Sequence, residues 1–92
     1  MKESIIPGGA DRSKCYLCWR PDPEHRHHLL HGSRRQKAEE YGLTVWICWK
    51  CHKLLHDKGE HDLELERVAQ RVFEKRYGHE LWMREFGKDY LE

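Results

Sequence analysis

Apolar residues recur along this chain with two different periods, and the change between them divides it. Leu43-Thr44-Val45-Trp46-Ile47 is a run of β-branched and aromatic residues and predicts a buried strand. A shorter strand is expected over Arg26–His31, closed by Gly32. From His61 to Tyr77 the pattern turns helical, with Leu65, Val68, Ala69, Val72 and Phe73 at three- and four-residue steps. In that helix Val72 and Phe73 are expected to face inward, with Glu74 and Lys75 in solvent. Gly78 ends it, and a second helix from His79 to Phe86 offers Leu81, Trp82 and Phe86 to the core.

Between the strands, Ser33 is positioned to cap a short helix over Arg34–Tyr41 that stops at Gly42. Residues 1–14 carry Pro7-Gly8-Gly9 without periodicity and read as a flexible arm. Pro21 and Pro23 mark a turn that cannot continue a sheet. The predicted organisation is an arm (1–14), an α+β core (15–58) and a helical extension (59–92) packed back on it, one domain overall.

Composition makes such a core thin. Of 92 residues, 38% are hydrophobic and 36% charged, near the size where apolar burial alone is marginal. The cysteines answer that shortfall. Cys15-Tyr16-Leu17-Cys18 and Cys48-Trp49-Lys50-Cys51 are two CxxC pairs that use every cysteine in the chain. A CxxC turn spaces two sulfurs about a tetrahedral edge apart, and two such turns complete one structural Zn²⁺ site. Zinc binding of this kind contributes on the order of 10 kcal/mol to folding. Two disulfides fit poorly, because no secretory signal precedes the cysteines. No run of apolar residues approaches a membrane span, so a reducing cytoplasm is the expected compartment.

The net charge of +1 is unevenly spread. Residues 11–37 hold seven bases against three acids, whereas residues 59–92 hold six bases against nine acids. A basic first half beside an acidic tail is compatible with a surface that faces nucleic acid.

The histidines carry the reactive chemistry. His52 and His56 are four residues apart on a helix that begins at the second CxxC, which places both imidazoles on one face. A third ligand from the facing strand would leave open positions for water and substrate, as a catalytic metal requires. His27 and His28 are neighbours on a strand, so their side chains point to opposite faces and suit different roles, one a ligand and the other a proton acceptor.

This order of CxxC, His-His, CxxC and an immediately following His resembles the HNH endonucleases of the ββα-metal (His-Me finger) superfamily, over about residues 15–58. It is closest in style to small phage-type members with a structural zinc and a helical C-terminal extension. The resemblance implies a metal-dependent endonuclease that hydrolyses phosphodiester bonds of DNA, in a bacterial or phage-infected cell. It implies His28 as general base and His27, His52 and His56 as ligands of a catalytic divalent cation, Mg²⁺ or another such as Mn²⁺, Ni²⁺ or Zn²⁺. Cys15, Cys18, Cys48 and Cys51 match the family's structural zinc.

Arg20, Arg26, Arg34, Arg35 and Lys53 are the candidate phosphate contacts. A single metal site attacks one strand, so nicking is expected. Two positions depart from the family pattern. Leu43 stands where the family's base-orienting Asn lies, leaving a backbone carbonyl to hold the imidazole, and His31 replaces a proline common after the base. Two readings from other classes are a zinc-stapled nucleic-acid-binding module without catalysis and a zinc-stapled protein scaffold. Neither needs a His-His pair facing His-x3-His.

Overall fold

The computed structural model describes residues 3–91. In chain order the elements are β1 (His25–His28), a 3₁₀ turn (Gly32–Arg34), α1 (Arg35–Tyr41), β2 (Thr44–Ile47), α2 (Trp49–Lys58), α3 (Asp62–Tyr77) and α4 (His79–Phe86). The strands form one antiparallel pair, with His27 opposite Val45 and His28 opposite Thr44. The protein is therefore a small α+β fold with a two-stranded sheet, four α-helices and a cysteine cluster at one end of the sheet. No helix among the described residues is long and apolar enough to cross a membrane.

β1 is shorter than the expected Arg26–His31 because the chain stops alternating after His28. Leu29 and Leu30 are both fully buried, which a strand with one covered face does not allow for neighbours. One further bond, from the Leu29 N–H to the Leu43 carbonyl at 3.0 Å, carries the pairing past the ladder before the chain turns away. Ser33 does not cap α1. The turn begins at Gly32, whose φ of 61° lies in the left-handed region, so Ser33 is already inside the 3₁₀ turn and α1 starts without a side-chain cap. Gly42 does end α1, at φ 72° and ψ 33°, with its N–H on the Ala38 and Glu39 carbonyls.

Residues 4–9, expected as part of a flexible arm, lie against the core. Ile6 is buried, and the Ile5 N–H donates to the Gly42 carbonyl at 2.9 Å. Gly9 is the residue this approach requires: a Cβ there would stand 2.7 Å from the Thr44 carbonyl oxygen. Burial of Ile6 in a core this small, with Ile5 partly covered beside it, explains why the segment does not stand off in solvent.

The extension packs as its periodicity predicts. Leu65, Ala69 and Phe73, spaced by four on α3, are buried together with Trp82 and Phe86 of α4 and with Tyr90. Val72 and Glu74 are each half-buried, and Lys75 is exposed. Glu74 is drawn in because it accepts hydrogen bonds from Gln70 at 2.7 Å and His79 at 2.6 Å. Gln70 is itself fully buried, and its amide oxygen accepts the Tyr90 N–H at 2.7 Å, which pins the end of the chain to α3. α3 is thus held in the core along its length, and its first residue, Asp62, is carried to the mouth of the site described next.

Candidate metal centres

The first CxxC lies on the loop before β1, and the second spans the junction of β2 with α2. The Tyr16 N–H donates to the Trp46 carbonyl at 2.9 Å, which fastens the loop to β2 and brings the pairs together. All four cysteines are free thiols, and their sulfurs lie within 4.8 Å of one another. Cys18 Sγ and Cys48 Sγ are 3.6 Å apart, close to the ~3.8 Å edge of a tetrahedron with Zn–S bonds of about 2.3 Å. Trp19, directly after Cys18, takes φ 68°, so the chain turns sharply out of the cluster.

The thiols differ electrostatically. Burial disfavours the Cys15 thiolate, but the backbone N–H groups of Cys18, Cys48 and Leu17 outweigh it and bring its pKa down to about 7. Burial and then the neighbouring thiols push Cys51 up. A dication among them would draw all four toward thiolate. Number, spacing and donor chemistry all fit a structural zinc ion.

The histidines build a second place. Strand alternation separates His27 from His28 as expected, and the two acquire different surroundings. His27 faces inward, 8% exposed, and its Nε2 is buried with no hydrogen-bond partner. An unsatisfied buried polar atom of this kind typically costs about 1–3 kcal/mol. Burial, then the imidazoles of His31 and His52, depress the His27 pKa to about 4, so the ring is neutral and offers a lone pair. His31 and Asp62 are its neighbours: one donor atom from each of His27, His31 and Asp62 lies within 4.8 Å of the others. His31 Nε2 and Asp62 Oδ1 are 2.7 Å apart.

His52 and His56 line the same cavity as His27 and His31. Their rings stack nearly parallel, 6.3 Å between centroids and 11° between planes, and His52 stacks in turn on His25 at 4.4 Å. His27 meets His52 edge-on at 6.0 Å. The structure thus brings the three expected ligands into one cavity, but it gathers His27 with His31 and Asp62 more tightly than with His52 and His56. Among the described residues, this trio and the four cysteines are the groups that could hold a metal ion.

His28 takes the other side of the strand, where its Nε2 is 2.8 Å from Glu39 Oε1 on α1. Arg26, on the same face of β1, also binds Glu39, with Nη2 3.0 Å from Oε2. These two hydrogen bonds, from Arg26 first and then His28, hold the Glu39 carboxyl down at about 2, so it is ionised. Glu39 therefore fixes the His28 ring, where a backbone carbonyl had been expected to do so. His28 borders the same cavity as His27, with Arg35 at its rim.

The five expected phosphate contacts are scattered. Arg26 and Arg35 line the cavity. Arg34 donates through Nε to the Phe86 carbonyl at 2.8 Å and is used to anchor α4. Arg20 lies by the cysteine cluster, 5.9 Å from the Trp49 ring, and Lys53 is exposed on α2 outside the cavity lining.

Sequence reasoning missed His31, Asp62 and Glu39. His31 stands four residues after His27, a spacing that keeps a face in either a strand or a helix, and Asp62 is an acid in the first turn of a predicted helix. For Glu39 there was no signal, since its partners come from a different element.

The fold and its cysteine cluster define a small α+β protein able to hold a structural metal ion such as zinc. No family model, curated protein or solved structure matches the chain.

Proposed function

We propose that this protein is a metal-dependent endonuclease of the HNH type, hydrolysing phosphodiester bonds of DNA by nicking, with a structural zinc at the four cysteines. The observation that carries this reading is the neutral, unpartnered and buried Nε2 of His27, in a cavity bordered by a second, separately oriented histidine. A buried lone pair without a proton donor suits a metal ligand. His28, on the opposite strand face and steadied by Glu39, suits a proton acceptor.

His27, with His52 and His56 from α2, lines the space where the catalytic cation would be held, and that cation would supply charge stabilisation at the phosphate. In the proposed reaction a water oxygen forms a bond to phosphorus and the ester P–O bond breaks. The water proton passes to His28, and the departing oxygen is protonated from solvent. Because Nε2 of His28 faces Glu39, the proton arrives at Nδ1. Arg26 and Arg35 border the cavity with positive charge for the DNA backbone.

The test is nicking of supercoiled plasmid across a series of divalent metals. His28→Ala is expected to lower the rate by about 10²–10⁴-fold while leaving fold and structural zinc intact. His27→Ala and His52→Ala are expected to lose nicking in a way that higher metal concentration partly restores. A parent protein that fails to cut with any divalent metal, or a His28→Ala variant as fast as the parent, overturns the reading.

A second reading, a zinc-stapled nucleic-acid-binding module, draws support from the surface of the cysteine cluster. There Trp19 is 69% exposed with the Lys14 ammonium 3.7 Å from its ring centroid, and Trp49 is exposed beside Arg20. That reading expects DNA binding without cleavage.

A further inference from the structure

We infer that His27, His31 and Asp62 together bind one transition-metal dication, so that the C-terminal helical extension contributes a ligand to the site. For the metal's catalytic use this rests on the nuclease reading above; the binding itself stands apart from it.

Three features lead here. The donor atoms of the trio lie within 4.8 Å of one another. Metal–nitrogen and metal–oxygen bonds of about 2.0–2.2 Å span donors up to ~4.3 Å apart, so movements of a few tenths of an ångström bring all three onto one ion. The His27 Nε2 is buried and has no partner, a vacancy in its hydrogen bonding that neither the core nor the sheet accounts for. The third feature is mechanical support. His31 follows the fully buried Leu30, and Asp62 opens a helix anchored by Leu65, Ala69 and Phe73. Two independent parts of the chain thus deliver a ligand each to His27, and the 2.7 Å approach of His31 to Asp62 joins them at the surface.

His52 and His56 sit differently. His52 is sandwiched between His25 and His56 in a column of near-parallel rings, 16° and 11° between successive planes. His52 and His56 of this column line the same cavity as the trio, so the ion held by the trio is the one that they border.

The donor set also selects the ion. Two imidazoles and one carboxylate suit Ni²⁺, Zn²⁺, Co²⁺ or Fe²⁺, whereas Mg²⁺ prefers an all-oxygen shell and keeps most of its waters. A plain His31–Asp62 ion pair, by contrast, would leave metal affinity indifferent to either residue.

The experiment is calorimetric titration of the zinc-loaded 92-residue chain with NiCl2 and separately with MgCl2. The parent is expected to take up one Ni²⁺ beyond its structural zinc, with no comparable Mg²⁺ uptake. Asp62→Asn and His31→Gln should each weaken that Ni²⁺ binding by about tenfold or more. Glu64→Gln, which removes a nearby charge from the same first turn of α3, should stay within about twofold. Circular dichroism establishes that the variants are folded, and Asp62→Glu, keeping a carboxylate, should recover part of the loss.

Absence of Ni²⁺ uptake by the parent, Mg²⁺ uptake equal to it, or unchanged affinity in either Asp62→Asn or His31→Gln overturns the assignment. Plasmid nicking on the same preparations separates the two conclusions. A parent that nicks while Asp62→Asn binds and cuts as well as it does refutes the ligand role and leaves the nuclease standing. A parent that binds Ni²⁺ through Asp62 but does not cut with any metal does the reverse.

Discussion

Replacing Phe73 by alanine tests whether the helical extension is one cooperative body with the sheet. Phe73 is fully buried, and four aromatic rings surround it: Tyr41 of α1 at 4.9 Å, Tyr77 at 4.8 Å, Trp82 at 5.4 Å and Phe86 at 5.5 Å between centroids. Tyr41, Trp82 and Phe86 meet it edge to face, the favourable arrangement for ring quadrupoles. Truncating a buried Phe to Ala costs about 3–5 kcal/mol, and the lost ring pairs put this site in the upper half, about 4–5 kcal/mol.

A chain of this length is expected to be stable by roughly 5–14 kcal/mol, so the substitution removes a large share. At roughly 4–8 °C per kcal/mol the melting temperature should fall by roughly 16–40 °C. The assay is urea unfolding followed by tryptophan fluorescence, with free zinc held equal for both proteins because bound metal adds to apparent stability. A loss below about 1 kcal/mol would refute the reasoning, since it would mean that the ring cluster opens without disturbing the sheet.

Two further outcomes follow from the sites. Cys48→Ser is expected to release the structural zinc and unfold much of the domain, because it removes a buried thiolate where β2 meets α2; a variant that keeps its zinc and melts at the parent temperature would refute this. In protein carrying only the structural zinc, the His27 ring should remain neutral in an NMR titration until the pH nears 4, because burial and then the His31 and His52 imidazoles disfavour its charge. With the unfolded-state pKa near about 6.5, the unfolded chain binds the extra proton first, so stability is full above that pH and declines as pH falls toward 4. A His27 ring that titrates near 6.5 would contradict the buried environment.

Much of the fold was legible because each part rests on a local rule. The β-branched run at Thr44–Ile47, the four-residue spacing of Leu65, Ala69 and Phe73, and the glycine stops at Gly42 and Gly78 all state their structure within a few residues. The four cysteines were equally plain, since two CxxC turns leave little else to do with their sulfurs. Ser33 misled because capping depends on where the preceding turn begins, and Gly32 starts that turn early. The arm misled because a Pro-Gly-Gly stretch records backbone freedom while saying nothing of the core that Ile6 joins. His31 and Asp62, 31 positions apart, meet only because α3 docks as it does, and no local pattern encodes that.

The same reasoning explains how a leucine can stand at position 43. Leu43 is fully buried, with an apolar side chain that cannot orient an imidazole, and its carbonyl accepts the Leu29 N–H. Glu39 reaches the His28 ring from the neighbouring helix instead. A carboxylate accepts the ring N–H as an amide oxygen would, and so orients it. Arg26 shares the same carboxylate, which leaves Glu39 ionised but its charge largely matched. The ring is therefore held by a paired anion from α1, the helix whose C-terminal Gly42 also receives the Ile5 N–H. Orientation of the proposed base and packing of the N-terminal segment thus depend on one short helix. A perturbation of α1 should disturb both together, while the cysteine cluster, built on the loop before β1 and the junction of β2 with α2, stands on separate parts of the chain.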